Sequence, residues 1–285
     1  MADFNNLSKL FRYVNENGES VTFSYQNGYL INKPKGIDTL SVSLTQAKGI
    51  NQTGATIQGR NIQPRPVNVT GYLVGDNQQQ HKDDLLAVIR PDLGGKLYAD
   101  DYYLNVYPTA TPSIEPKRNG AQFQFSLLAA YPYWCKDDSA EAVLAGITPM
   151  FKFPWNISRA YQFGKLTETQ FFNVINRGQV PVPFTATVLA SGEVVNPKIT
   201  NAITGKYLRI KKTMASGERI VVGITHDKTY VTSSIDGDCR GALDLKTTLY
   251  ELDVGDNVLK PEAESGSTNM QIEIRFATEI VGITL

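Results

Sequence analysis

Apolar and polar residues alternate one by one along most of this chain, and turn-forming residues interrupt the alternation at short intervals. Gln122–Leu128 shows the pattern most plainly, with Phe123 and Phe125 on one side and Gln122, Gln124 and Ser126 on the other. A period of two places alternate side chains on opposite faces of a strand, so each such run predicts a strand with one face on a core. Val21, Phe23 and Tyr25 alternate in the same way before Asn27-Gly28, a pair that tolerates positive φ and predicts a hairpin turn. Further runs cover Ile37–Ala47, Val67–Leu73 and Tyr102–Tyr107, then Tyr161–Leu166, Thr169–Ile175, Phe184–Leu189, Lys198–Thr204, Tyr207–Lys211, Arg219–Thr225, Thr229–Ser234 and Met270–Phe276.

One segment departs from this rule. Gln78–Arg90 contains good helix formers and no Gly or Pro, with Leu85, Leu86 and Ile89 on one stripe. Asp76 or Asn77 can cap its start and Pro91 ends it. After Trp134, "CKDDSAEAVLAG" loses the alternation and reads as a connector or a short helix. The chain is therefore expected to be mainly β, as two β-sandwich domains, the first with one helix. The boundary is set at 1–136 and 137–285, and the last strands are candidates to pack back on the first domain.

Charge excludes little but argues against one class. The chain has 28 basic and 28 acidic residues, so neither half reads as a basic nucleic-acid-binding module. The start, "MADFNNLSKLFRYV", lacks a basic region followed by an apolar one, so no signal peptide is expected. No apolar stretch reaches the length of a membrane span, and production in a cytoplasm is expected. Cys135 and Cys239 set no disulfide framework and are expected as free thiols.

Motifs for chemistry are sparse. His81 and His226 belong to no metal-binding spacing, and no cofactor or metal is expected. "IDGDCRGALDL" carries Asp236, Asp238 and Asp244 but fails the EF-hand pattern, which leaves a turn as the expected reading. The adjacent pairs Asp100-Asp101 and Asp137-Asp138 would point to opposite faces of a strand, which does not build a paired-carboxylate site. No catalytic residue is assigned, and the chain is expected not to be an enzyme.

Two features invite binding. Phe123, Phe125, Tyr131, Tyr133 and Trp134 end a strand and are expected to close a core or the seam between domains. Trp155 and Tyr161 offer rings on which a sugar could stack, which keeps a carbohydrate-binding β-sandwich, a lectin-like adhesion module of a cell surface or virion, as an alternative function. "KGINQTGATIQGRNIQPRP", Lys48–Pro66, is long, polar and glycine-punctuated; it is predicted to extend from the sheet and to be ordered by a neighbouring subunit or partner. Lys48, Gln52, Ile57, Arg60 and Arg65 are its candidate interface residues.

The order of these features resembles the phage distal tail protein family. A strand that starts at an arginine and ends in a glycine turn, "RPVNVTGYLVG", precedes a helix that runs into a hairpin, "DDLLAVIRPDLGGKLYADDYYLNVY". The amphipathic strand "QFQFSLLAAYPYW" follows and ends in a proline flanked by aromatics. "NRGQVPVPF", "LYELDVGDNVL" and "MQIEIRFATEIVGI" resemble the family's second half. The resemblance implies an N-terminal ring-forming domain and a C-terminal galectin-like sandwich. It implies a homo-hexameric hub in a virion tail tip, assembled in the host cytoplasm. The hub would join the tail tube protein to a tail-associated fibre or lysin, and potentially to a receptor-binding protein, with DNA only passing through the ring channel.

Overall fold

The computed structural model describes residues 11–118, 120–136, 147–149, 164–166, 171–226 and 228–283. The chain divides into two compact units, 1–137 with 279–285, and 138–278. Asp137, Asp138 and most of the connector after Trp134 lie outside the described residues.

The first unit holds β1 (Phe11–Asn15), β2 (Ser20–Phe23), β3 (Tyr29–Ile31), β4 (Val42–Ala47), β5 (Thr56–Ile62) and β6 (Arg65–Leu73). The helix α1 (Gln78–Val88) comes next. It is followed by β7 (Gly95–Ala99), β8 (Tyr102–Pro108), β9 (Ser113–Lys117), β10 (Gly120–Ala129) and β11 (Trp134–Lys136). The main sheet runs β2-β1-β7-β8-β10-β6-β3 and is antiparallel, with β9 on the far end of β10 and β11 on β8. The strand β10 pairs with β6 along its whole length but meets β8 only at Leu127–Pro108 and Leu128–Tyr107. That narrow hinge lets the sheet fold over on itself, so alternate residues from both halves face one core.

The core is aromatic. Phe11, Tyr13, Phe23, Tyr29, Phe123, Phe125 and Trp134 are all buried. The Phe23 and Phe125 rings stack at 5.6 Å, and Tyr29 meets Phe23 edge-on at 5.8 Å. Gly71 lies directly across from Phe123 on β6, where a Cβ would come within 2.6 Å of the Phe123 ring. The helix adds Leu85 and Val88 to this core, and Ile89 just beyond it. Of the two candidate caps, Asp76 and Asn77, the helix starts at Asn77, whose side chain makes no capping hydrogen bond.

The second unit holds β12 (Ile147–Pro149), β13 (Gly164–Leu166), β14 (Phe172–Asn176), β15 (Phe184–Ala190), β16 (Val194–Val195), β17 (Lys198–Asn201), β18 (Tyr207–Arg209), β19 (Thr213–Met214), β20 (Arg219–Ile224), β21 (Thr229–Ser233), β22 (Gly237–Asp238), β23 (Gly255–Glu262) and β24 (Met270–Phe276). A four-stranded sheet, β14-β23-β17-β18, and a five-stranded sheet, β22-β21-β20-β15-β24, bury their inner faces together. Val188, Ile199, Ile220, Val222, Ile272 and Ile274 are typical of this largely aliphatic core. The last strand, β25 (Thr278–Ile280), pairs with β11, and residues 279–283 belong to the first unit.

Two local readings are corrected. Asn27-Gly28 does not close a β2–β3 hairpin: β2 stops at Phe23, Tyr25–Asn27 form a 3-10 turn, and Gly28 leaves it at φ 81°. Tyr25, read as a core residue by alternation, is exposed. Lys48–Pro66 is not a loop either. It contains β5 and the first residues of β6, and only 48–55 link β4 to β5.

Candidate assembly interface

The strands β4 and β5 pair with each other and with nothing else among the described residues. Val42 lies opposite Ile62, Leu44 opposite Arg60, and Gln46 opposite Ile57, with a bulge after Thr45 that leaves Gln58 as the extra residue. The pairing sorts the ribbon into two faces. Val42, Leu44, Ile57 and Ile62 share one face with Gln46 and Arg60; Ser43, Thr45, Ala47, Thr56, Gly59 and Asn61 occupy the other. All four apolar side chains on the first face are exposed, from 43% at Ile62 to 58% at Ile57.

Such a ribbon is short of support on two counts. A two-stranded hairpin alone is marginal in water, and each strand keeps one unpaired edge. An aligned exposed apolar row, unlike scattered exposed residues, is a feature of interaction surfaces. At the tip, the Gly49 amide donates to Gln52 Oε1 at 2.9 Å and Gln52 Nε2 donates to Thr56 Oγ1 at 2.9 Å. Ile50 stands fully exposed beside them.

Of the sequence-predicted residues, Lys48 and Gln52 lie at this tip, and Ile57 and Arg60 share the apolar face. Arg65 is different, and its assignment to the interface is corrected. It is buried, at 2% exposure. Its Nε donates to the Pro132 carbonyl at 2.6 Å, Nη1 to the Gly36 and Ile37 carbonyls at 2.8 and 2.9 Å, and Nη2 to the Val281 carbonyl. Burial pulls its pKa below the ordinary guanidinium value, and Asp38 and Tyr133 oppose that shift. The side chain is a tie inside the first unit.

The aromatic cluster divides as well. Phe123, Phe125 and Trp134 sit in the first unit's core, and Trp134 Nε1 donates to the Ile37 carbonyl at 2.9 Å. Tyr131 and Tyr133 are half-buried with rings 5.4 Å apart, and Tyr131 donates to Glu279 Oε2 at 2.5 Å. Burial, ahead of the Glu279 carboxylate, drives the Tyr131 pKa far up.

Among the described residues, the acidic side chains of the predicted turn do not converge on a shared site. Asp236 pairs with Lys212 at 2.7 Å, Asp238 with Arg240 at 2.8 Å and Asp244 with Lys211 at 3.0 Å. Each of the three aspartates of the predicted turn is paired with a basic side chain. Among the described residues no three His, Cys, Asp or Glu side chains group to hold a metal, and neither Cys135 nor Cys239 is in a disulfide. Trp155 and Tyr161 lie outside the described residues. On the four-stranded sheet, Lys198 sits over the Tyr207 ring at 4.8 Å and Lys260 over Phe171 at 6.0 Å, so these two rings already have cations on their faces.

Residues 177–278 match the family described as siphovirus-type tail component, C-terminal domain. The resemblance to phage distal tail proteins holds. The fold is similar over nearly the whole chain to the crystal structure of the SPP1 Dit protein (gp 19.1), described as a paradigm of the hub adsorption apparatus in phages infecting Gram-positive bacteria. That likeness has a TM-score of 0.69 at 13% identity and covers 95% of this chain and 99% of the other. A chain of the phage P2 baseplate in its activated conformation with calcium gives a TM-score of 0.52 at 11% identity, covering 96% and 99%. The strontium form of that baseplate gives 0.50 at 10%, covering 96% and 99%. No curated protein matches by sequence.

Sequence reasoning missed the ribbon as a structure, although it placed an interface there. The signal was present in Ile57, Arg60 and Ile62, but the bulge at Gln58 breaks the two-residue period and hides the strand.

Proposed function

We propose that this protein is a structural component of a phage tail tip, a distal-tail-type hub that assembles with copies of itself into a hexameric ring. The ring joins the tail tube protein on one side to a tail-associated fibre or lysin and the surrounding baseplate on the other. It assembles in the host cytoplasm, resides in the virion, and DNA only passes through its channel. The role is mechanical and needs no catalytic residue or cofactor.

The observation that carries this reading is the amphipathic β4–β5 ribbon with its uncovered apolar row. Within one chain nothing among the described residues pairs with its edges. A heterologous contact, in which the ribbon of one copy lies on a different surface of the next, closes into a ring when the rotation allows. Light scattering after size exclusion tests it. The wild-type chain is expected to form a hexamer above some concentration, and Leu44→Ser with Ile57→Ser is expected to leave a folded monomer. A wild-type monomer at every concentration, also with tube protein added, would sink the ring. An unchanged hexamer in the double variant would remove the ribbon from it.

A further inference from the structure

Residues 279–283 follow the whole second unit in sequence yet belong to the first. Their docking is specific. β25 pairs with β11, the Ile283 amide donates to the Ile37 carbonyl at 3.1 Å, and Ile280 and Ile283 pack on the first unit's core. The Val281 carbonyl takes Arg65 Nη2, and Glu279, at 3% exposure, accepts from Tyr131. Gly282 passes so close to the Asp38 backbone that a Cβ there would come within 2.6 Å of the Asp38 carbonyl oxygen.

Arg65 makes this more than a loose return. It gathers carbonyls from three separate stretches: Gly36 and Ile37, Pro132, and Val281. Ile37 is itself shared, since its carbonyl also takes Trp134 Nε1 and the Ile283 amide. A buried guanidinium with a missing acceptor, and carbonyls with missing donors, are each costly in a low-dielectric interior. The first unit therefore lacks part of its polar closure until 279–283 arrive.

We propose that residues 279–283 act as a closing strap, so that the first unit is completed, and able to assemble, only after the second unit has been made and the chain has returned to Arg65. An incomplete chain would then hold its ring-forming unit open, and copies lacking a second unit would be kept out of assemblies. The strap itself does not rest on the ring reading; only its consequence for assembly does.

Hydrogen exchange on dilute monomer tests the strap apart from any ring. A chain ending at Thr278 is expected to exchange amides of 35–38 and 133–136 about tenfold faster or more than the full chain. The strands from 171 to 276 should keep their protection, and a peptide of residues 278–283 added in trans should restore the first unit. Equal protection in the shortened and full chains would overturn the proposal. If the shortened chain is insoluble, Gly282→Val in the full chain decides. Faster exchange confined to 35–38 and 133–136 supports the strap, and unchanged exchange overturns it. Normal strap protection in a chain that never forms rings would sink the ring reading and leave the strap standing.

Discussion

The two units solve the same problem, burying the inner faces of folded antiparallel sheets, with different materials. The first fills its core with rings: Phe11, Tyr13, Phe23, Tyr29, Phe123, Phe125 and Trp134. It buries Arg65 against carbonyls, with no carboxylate among its hydrogen-bond acceptors, and leaves an apolar row uncovered on β4–β5. The second fills its core mainly with Val, Ile and Leu, and its most buried lysine–glutamate pair, Lys212 and Glu218, is also tied to Ser233, whose Oγ donates to Glu218 at 2.5 Å. Of its exposed apolar residues, Ile203, Ile235 and Leu245 stand singly in turns, and Ile175 and Leu189 lie on separate strands, β14 and β15. The difference teaches where partners are needed. Among the described residues, the second unit's two sheets bury their inner faces against each other. In the proposed reading, the strap completes the first unit's polar interior and another molecule covers its ribbon.

The largest test of this contrast is Trp134→Ala. A fully buried indole whose N–H is also used should cost the first unit about 3–5 kcal/mol. Calorimetry should show one transition lowered and the second unit's transition in place; a joint fall of both would break the comparison. Lys212→Met is the mirror experiment. It leaves Glu218 buried with Ser233 and the Ala215 amide as its remaining donors and should cost the second unit about 3 kcal/mol. Here the first unit's transition should stay where it is.

A smaller effect is expected at Glu262, which accepts from Lys260 at 2.8 Å, Lys198 at 3.1 Å and Thr200 at 2.9 Å. The Lys260 ammonium, ahead of the opposing effect of burial, holds its pKa at about 2, below the ordinary 4.5. A depressed carboxylate stabilises the fold above its unfolded pKa and loses that contribution as pH falls through the folded value. Acid titration from about 5 to about 2 should therefore weaken the second unit, and Glu262→Gln should flatten that dependence at a cost of about 0.5–1 kcal/mol, because the site is partly solvent-screened. An unchanged acid profile in the variant would assign the acid sensitivity to other groups. The smallest change in monomer stability belongs to the ribbon: Leu44→Ser with Ile57→Ser should shift it by less than about 0.5 kcal/mol. Any larger fall in the monomer's melting would mean that the row is covered within its own chain.

The strand-rich class and the helix at Gln78–Val88 were legible because both depend on local periodicity. Phe123 and Phe125 were readable as core residues from their alternation alone. Arg65 was misassigned because a lone arginine beside a polar, glycine-rich stretch reads as surface; only the convergence of Gly36, Ile37, Pro132 and Val281 explains its burial. Tyr25 followed the alternation and still faces solvent, since the chain turns one residue before it.

By itself, the sequence determined the strand-rich class, the helix, and the apolar face of strands such as Val67–Leu73 and Phe184–Leu189, because those properties reside in neighbouring residues and their spacing. The tertiary structure alone decided that residues 279–283 return across the length of a whole unit, that four distant carbonyls share one guanidinium, and that β4 and β5 meet with their apolar face open. Each of these is a meeting of segments far apart along the chain, and no local period encodes which distant backbone a segment will find.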